Sequence, residues 1–254
     1  MNRYCINHNF GNPVKFNALL ELVKTLREKC PWDRVQTLDS LKSKLIEEAY
    51  ELVEAIEEDD LDATIEELGD IIFLAFFLVR ILEERGDASV EGIIGRTVSK
   101  YQKKHPHVFA DKELKNEKEV LQFWHKNKED IFAGIPTILP ALLAARVIQE
   151  RASKLGFDWA SHLGPLEKVK EEIHELEEMG DVKHGEEMGD LLFACVNLAR
   201  HLRIDPEEAL RHANRKFVRR FREIIRRLNS QGKDIDNVSL EEMDKIWDEI
   251  KKTE

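Results

Sequence analysis

Cysteine is scarce in this 254-residue chain: Cys5, Cys30 and Cys195 stand far apart and are odd in number. A disulfide framework and a Cys-x-x-Cys metal site are therefore excluded, and a reducing compartment suits the chain. Long apolar runs are also missing. The longest, Ile71 to Val79, is too short to span a bilayer, and Met1 to Gly11 lacks the apolar stretch of a signal peptide. A soluble, cytoplasmic protein without a membrane partner is expected. Positive charge is in deficit, with 39 Lys+Arg against 50 Asp+Glu and a net charge of -11, so nucleic acid is not an expected partner either. The sequence has no Gly-x-x-x-x-Gly-Lys-Ser/Thr loop, no Gly-x-Gly-x-x-Gly turn and no His-Glu-x-x-His run. A phosphate-bearing ligand would be held by side chains and metal ions, not by a glycine-rich cradle.

Alternating strand patterns bounded by turn pairs are essentially absent too, while helical periodicity runs through most of the chain. The fold expected is all-α. Helices are expected at Val14 to Lys29, Leu38 to Glu58, Leu61 to Arg85, Val90 to Lys104 and Glu117 to Lys128. The plan repeats at Leu139 to Leu155, Leu163 to Met179, Gly185 to Arg203, Pro206 to Ser230 and Leu240 to Lys251. Cys30-Pro31-Trp32-Asp33 should end the first helix, Gly86-Asp87 the third, and Asp205 should cap the helix that Pro206 opens. Between the halves, Phe132 to Pro140 carries Gly and Pro punctuation but is apolar enough to pack. Two tandem helical domains, residues 1–132 and 133–254, are expected.

What the chain does have, twice, is one acidic constellation. Glu47-Glu48-x-x-Glu51 precedes Glu67-Leu-Gly-Asp70, and Glu171-Glu172-x-x-Glu175 precedes Glu187-Met-Gly-Asp190. Basic and aromatic positions recur as well: Lys100-Tyr101-x-x-Lys104 stands opposite Lys216-Phe217-x-x-Arg220, and Trp124 opposite Trp247.

Residues three and four apart share a helical face. Leu45, Glu48, Leu52 and Ala55 follow that spacing, as do Val169, Glu172, Leu176 and Met179, so an acid sits in each apolar seam. Glu67 and Asp70 likewise continue in one stripe into Leu74, Phe77 and Leu78. Carboxylates converging between two packed helices repel one another and lose hydration, and divalent cations are the natural compensation. A set made only of oxygen donors favours Mg²⁺ or Mn²⁺ over zinc. The helix from Arg211 to Arg227 supplies arginines suited to an anionic, phosphate-bearing substrate.

Cys30-Pro-Trp-Asp-x-x-Gln36-Thr37, the paired acids, His105-Pro-His-Val-Phe109 and Asn214-x-Lys216-Phe-x-x-Arg220 together resemble the MazG family of nucleoside triphosphate pyrophosphohydrolases, within the all-α NTP pyrophosphatase superfamily. The resemblance covers nearly the whole chain. It implies Mg²⁺-dependent hydrolysis of a nucleoside triphosphate between the α and β phosphates, in nucleotide pool control or housecleaning. It also implies four-helix-bundle catalytic modules completed by homodimerisation. By the resemblance, Glu48, Glu51, Glu67 and Asp70 hold metal in the first module, and Glu172, Glu175, Glu187 and Asp190 in the second. Lys183, Lys216 and Arg220 match positions contacting the triphosphate, and Trp247 the position beside the base. Glu47 and Glu171 are candidate catalytic residues that orient or deprotonate water, or else partners of the ligands or surface acids.

Two departures from the family pattern stand out. Leu38 occupies the place where the motif after Gln-Thr usually has His. Val98 and Lys104 align with Asn214 and Arg220, which favours the second module for catalysis. Two other classes answer to the same acids. A di-iron helical bundle would want Glu-x-x-His on two helices, and only Glu171-x-x-His174 offers it. A noncatalytic interaction module would place the acids on a solvated face.

Overall fold

The computed structural model describes residues 16–110, 113–116, 119–120, 123–124, 130–178 and 184–253. Helix and irregular connections account for all of them, with no strand among the described residues. No helix among the described residues is long and apolar enough to cross a membrane. Packing divides the chain into two compact units, Met1–Leu114 and Lys115–Glu254, a break that falls before the 132/133 boundary expected from the sequence.

The first unit runs α1 (Phe16–Lys29), α2 (Pro31–Arg34), α3 (Lys42–Glu57), α4 (Leu61–Glu84), α5 (Val90–Lys104) and α6 (Pro106–Phe109). Helices α3 and α4 lie side by side because only Glu58 to Asp60 join them, and so short a connection makes neighbours antiparallel. Asp59 takes a φ of 55°, which Asp tolerates better than most residues, and the Asp60 side chain accepts the Ala63 N–H to cap α4. Helix α1 packs across α4, burying Val23, Leu74, Phe77 and Ile81 with Leu41.

A single arginine ties this core to the loop that follows. Arg27 of α1 lies 5.5 Å over the Phe77 ring and donates to the carbonyls of Asp33 (2.6 Å) and Gln36 (2.9 Å). It also pairs with Glu84 at 2.5 Å, which holds the Glu84 carboxyl below its ordinary range. The Cys30-to-Gln36 motif is thereby fixed by its backbone.

The second unit repeats the order with α7 (Ala141–Ser153), α8 (Leu163–Glu178), α9 (His184–His201), α10 (Pro206–Ser230), a 3₁₀ turn (Ile235–Asn237) and α11 (Leu240–Thr253). Helix α9 packs on both α8 and α7, and Ala194 and Val196 are buried there. Helices α10 and α11 form a further core of Ile224, Leu228, Ile246 and Ile250. Asp205 caps α10 through the Glu208 N–H, as its place before Pro206 predicts.

The loop after α7 is again fastened by arginine, now from the other helix. Arg200 of α9 binds Asp158 through both terminal nitrogens, and His201 Nε2 lies 2.8 Å from the same carboxylate. The Arg200 guanidinium, with His201, pushes the Asp158 carboxyl down to about 2.

Several boundaries differ from the sequence reading for identifiable reasons. Helix α3 starts at Lys42 instead of Leu38 because Thr37 and Ser40 bond each other's N–H groups through their hydroxyls, replacing helical bonds. Pro31 opens a one-turn helix where only a helix end was expected, and Pro106 opens another at α6. Helix α9 stops at His201, and Arg203, with φ 61°, turns the chain. The linker before α7 is held less by burial than expected: Arg151 donates to the carbonyls of Ile131 and Ala133, while Ile138 is 84% exposed. The expected start at Val14, and most of the expected helix from Glu117 to Lys128, lie outside the described residues.

Two consequences are measurable. Arg27→Leu strips the loop carbonyls and Glu84 of their donor, and should cost about 2–4 kcal/mol in urea unfolding, with Trp32 fluorescence responding to the freed loop. Because the folded Asp158 carboxyl titrates below its unfolded value, its contribution is present above about pH 4 and is lost as pH falls through about 2. Asp158→Asn should therefore remove about 1–2 kcal/mol at neutral pH and flatten stability between about pH 4 and pH 2, read by urea titrations at each pH.

Candidate metal centre

The acidic seam forms as the spacing demands. Glu48 of α3 and Glu172 of α8 are 4% and 3% exposed, deeper than any other acid among the described residues, with Asp33 next at 8%. Around Glu48, Leu45 and Leu52 are half-buried and Ala55 is buried, so the acid shares the face that meets α4. Glu67 and Asp70 come from the first turns of α4, one stripe below buried Leu74 and Phe77.

The geometry brings together Glu48, Glu67 and Asp70, and in the second unit Glu172, Glu187 and Asp190, with one carboxylate oxygen from each within 4.8 Å of the others. Glu51 and Glu175 border these groups electrostatically. Glu51 is pushed up by lost hydration and by Glu48; Glu67 by lost hydration and by Glu51, Glu48 and Asp70. Glu187 is raised by lost hydration, by a hydrogen bond with Glu175 and by the charges of Glu175, Asp190 and Glu172. Glu67 and Glu187 thus each feel the three other acids of their copy, as crowded like charges must.

One basic partner in each copy was missed by the sequence reading. Lys44 Nζ sits 2.6 Å from Glu48 and 3.2 Å from Glu47, and Lys168 Nζ sits 2.6 Å from Glu172 and 2.9 Å from Glu171. Both ammonium groups are pushed above the ordinary lysine range by these bonds. The signal was present as Lys-x-x-Glu-Glu in both repeats. Each lysine binds one oxygen of the buried acid and also occupies the exposed Glu47 or Glu171.

A cation fits what remains. Glu172 Oε2 is buried and has no hydrogen-bond partner, although Oε1 is paired with Lys168. A buried carboxylate oxygen without a donor is costly, and the neighbouring donors are all oxygen, the set that hard divalent cations prefer. Glu187 and Asp190 supply the other oxygens from α9.

The expected substrate-binding residues stand on other helices. Arg220 of α10 lies 5.3 Å over the Trp247 ring of α11, and Phe217 packs 5.4 Å from the same indole. Lys216 is exposed one residue earlier on α10, and Lys183 lies outside the described residues.

A family model for the MazG nucleotide pyrophosphohydrolase domain matches residues 36–109, which include the first acidic constellation. The chain is 42% identical over 245 residues to the nucleoside triphosphate pyrophosphohydrolase/pyrophosphatase MazG of Thermotoga maritima, covering 94% of this chain and 96% of that protein. It is 40% identical over 259 residues to the nucleoside triphosphate pyrophosphohydrolase of Escherichia coli K12, covering 94% and 98% of the two. YabN of Bacillus subtilis is 40% identical over 255 residues, which span 94% of this chain and 52% of that one. Similarity of this extent, over a chain whose paired acids converge in both repeats, places the protein in the MazG family of nucleotide pyrophosphohydrolases.

Proposed function

We propose that this chain is a cytoplasmic, Mg²⁺-dependent nucleoside triphosphate pyrophosphohydrolase that cleaves between the α and β phosphates, releasing the nucleoside monophosphate and pyrophosphate. Its role would be nucleotide pool control or housecleaning. The observation that carries the reading is Glu172: a buried carboxylate with one oxygen on Lys168, the other unpartnered, in a group of acids drawn from two helices. Pyrophosphohydrolysis of nucleoside triphosphates is also the activity named for the Thermotoga maritima and Escherichia coli relatives.

Glu172, Glu175, Glu187 and Asp190 would hold the metal in the repeat 133–254, and Glu48, Glu51, Glu67 and Asp70 in the repeat 1–132. When bound, Mg²⁺ supplies positive charge for the triphosphate and the departing pyrophosphate and acidifies water. Lys168 and Lys44 orient the buried glutamates by holding one oxygen each. Glu171 and Glu47, set on the same lysines, are candidates to orient the attacking water and take its proton. Lys183, Lys216 and Arg220 would contact the triphosphate. The Arg220 guanidinium is already aligned by the Trp247 ring, which would sit beside the base.

Exposed Ile46, Ile65, Leu68 and Ile72 on α3 and α4 offer an apolar face suited to a second copy of the chain, which would complete a four-helix module. The competing classes fare worse. His174, which a di-iron site would need, is exposed and pairs with Glu177 and Glu178 of its own helix. A solvated acidic face does not suit acids only 4% and 3% exposed.

Pyrophosphate release from a panel of nucleoside triphosphates tests the reading directly. Wild type should release it with Mg²⁺ and lose that ability with EDTA. Glu172→Gln and Asp190→Asn should each fall about 100-fold or more. Wild type should also gain about 2.7 kcal/mol of stability at an Mg²⁺ concentration 100 times its Kd, whereas Asp190→Asn should gain little. Unchanged pyrophosphate release from the Glu172→Gln, Asp190→Asn double variant would overturn the assignment. Light scattering should find a mass near twice the 29.6 kDa of one chain, and Leu68→Asp should shift it toward the monomer.

A further inference from the structure

Helix α10 carries Lys216 and Arg220, yet burial fixes it toward its ends. Its buried residues are Pro206 at the start and Ile224 and Leu228 further on, where α11 covers it, so the two basic groups stand in the stretch between. The same helix also meets α7 and α9. At about 1.5 Å per residue, Lys216 and Arg220 lie about 15 and 21 Å along α10 from Pro206, and Asp190 and Glu187 lie about 17 and 21 Å back along α9 from His201. Bases and acids are thus about equally far from the turn that joins their helices. Whatever holds that turn sets the angle between them.

The turn is tightly bonded. Arg203 takes a φ of 61°, its N–H donates to the Arg200 carbonyl at 3.0 Å, and the Ile204 N–H donates to the Ala199 carbonyl at 2.9 Å. Asp205 then uses both oxygens of one carboxylate. Oδ1 accepts the Glu208 N–H at 3.1 Å and caps α10, while Oδ2 accepts from Arg146 Nη1 of α7. Arg146 is itself steadied by Glu150, one turn further along α7, which accepts from its Nε at 2.9 Å. Arg146 and Asp205 are half-buried, where such a charge-assisted bond is worth more than a fully exposed pair. The cap of the basic helix is thereby fastened to the first helix of the unit.

The first repeat lacks both halves of this joint. Matching the loops after α1 and α7 sets Leu20 or Glu21 opposite Arg146, and neither carries positive charge. Its basic helix α5 is capped by neutral Ser89, whose Oγ accepts the Gly92 N–H, and the turn before it uses Gly86 at a φ of 73°. No residue of α5 is buried. The pair of Arg146 and Asp205 therefore accompanies the basic helix that has Asn214 and Arg220, and is missing beside the one that has Val98 and Lys104.

Resting on the pyrophosphohydrolase reading above, we propose that Arg146 is a positioning residue: by gripping Asp205 it fixes the angle of α10 to α9, and so the reach of Lys216 and Arg220 to a triphosphate held at the acids. In this role it acts through Asp205, without touching nucleotide or metal. The leverage is large. A tilt of about 10° at the turn moves groups about 15–21 Å along the helix by about 3 Å, and about 1 Å of misplacement can cost about 100-fold.

Two variants separate the joint from the cap. Arg146→Leu removes the guanidinium, whereas Asp205→Asn keeps a good helix cap and removes the charge. Each should raise KM for pyrophosphate release, and the Kd of α,β-methylene ATP in titration calorimetry, by about tenfold. The Mg²⁺ concentration that half-stabilises the nucleotide-free protein should stay within about twofold, since the acids are untouched. Arg146→Lys should recover most of the loss, and the Arg146→Leu, Asp205→Asn double variant should be no weaker than the weaker single one. KM and Kd within about twofold of wild type in Asp205→Asn overturn the proposal, and that variant reads the pair even if Arg146→Leu does not fold. Effects that add in the double variant overturn it as well, as does a Mg²⁺ midpoint that rises in step with KM. Wild type that releases no pyrophosphate from any nucleotide overturns the enzymatic reading instead, so the two failures are distinct.

Discussion

A carboxylate enclosed almost completely by protein, Glu48 in one repeat and Glu172 in the other, must find positive charge or surrender its own. The rest of each repeat follows from that constraint. The acid needs a lysine one turn earlier on its helix, and Lys44 and Lys168 occupy that position. Further oxygens must stand on a second helix close by, which the three-residue turn between α3 and α4 provides in the first unit. In the second repeat the lysine satisfies only half of the carboxylate, and Glu172 Oε2 is left without a partner. Burial supplies the electrostatic strength and the incomplete pairing supplies the selectivity, both from the same side chain.

Fastening the helix pair is a separate task, solved by guanidinium groups. Arg27 anchors the loop after α1 through its carbonyls, whereas Arg200 anchors the loop after α7 through Asp158. In the second unit the loop brings Trp159 of the Phe-Asp-Trp segment beside the helix pair. A mobile loop there would leave the acids in place but unroof the space beside them.

Much of the centre was legible because a polar residue in an apolar seam is a conspicuous breach of periodicity. Glu48 between Leu45 and Leu52 announced a buried acid, and its recurrence at Glu172 separated signal from the abundance of surface glutamate. Lys44 and Lys168 escaped notice because lysine on a charged helix reads as solvent-facing; only the partner's burial reveals its role. The short helices at Pro31 and Pro106 span a single turn, too few residues to establish a period. The Thr37–Ser40 exchange that delays α3 is a local contest between hydroxyl and backbone, one that a hydrophobic pattern does not register.

The different origins of the two loop-fastening arginines bear on how such a duplicated chain can change. Arg27 precedes its loop on the neighbouring helix α1, while Arg200 follows its loop by 42 residues, on α9. The acids of the two copies are interchangeable in kind, but their supports are wired in opposite directions. A recombinant that joined α1 of the first repeat to the loop and helix pair of the second would carry two guanidinium groups. The reverse exchange would carry neither Arg27 nor Arg200. The interchangeable unit is therefore the whole stretch from α1 to α4 in one copy and from α7 to α9 in the other, and the two copies can diverge residue by residue while remaining unable to trade single elements.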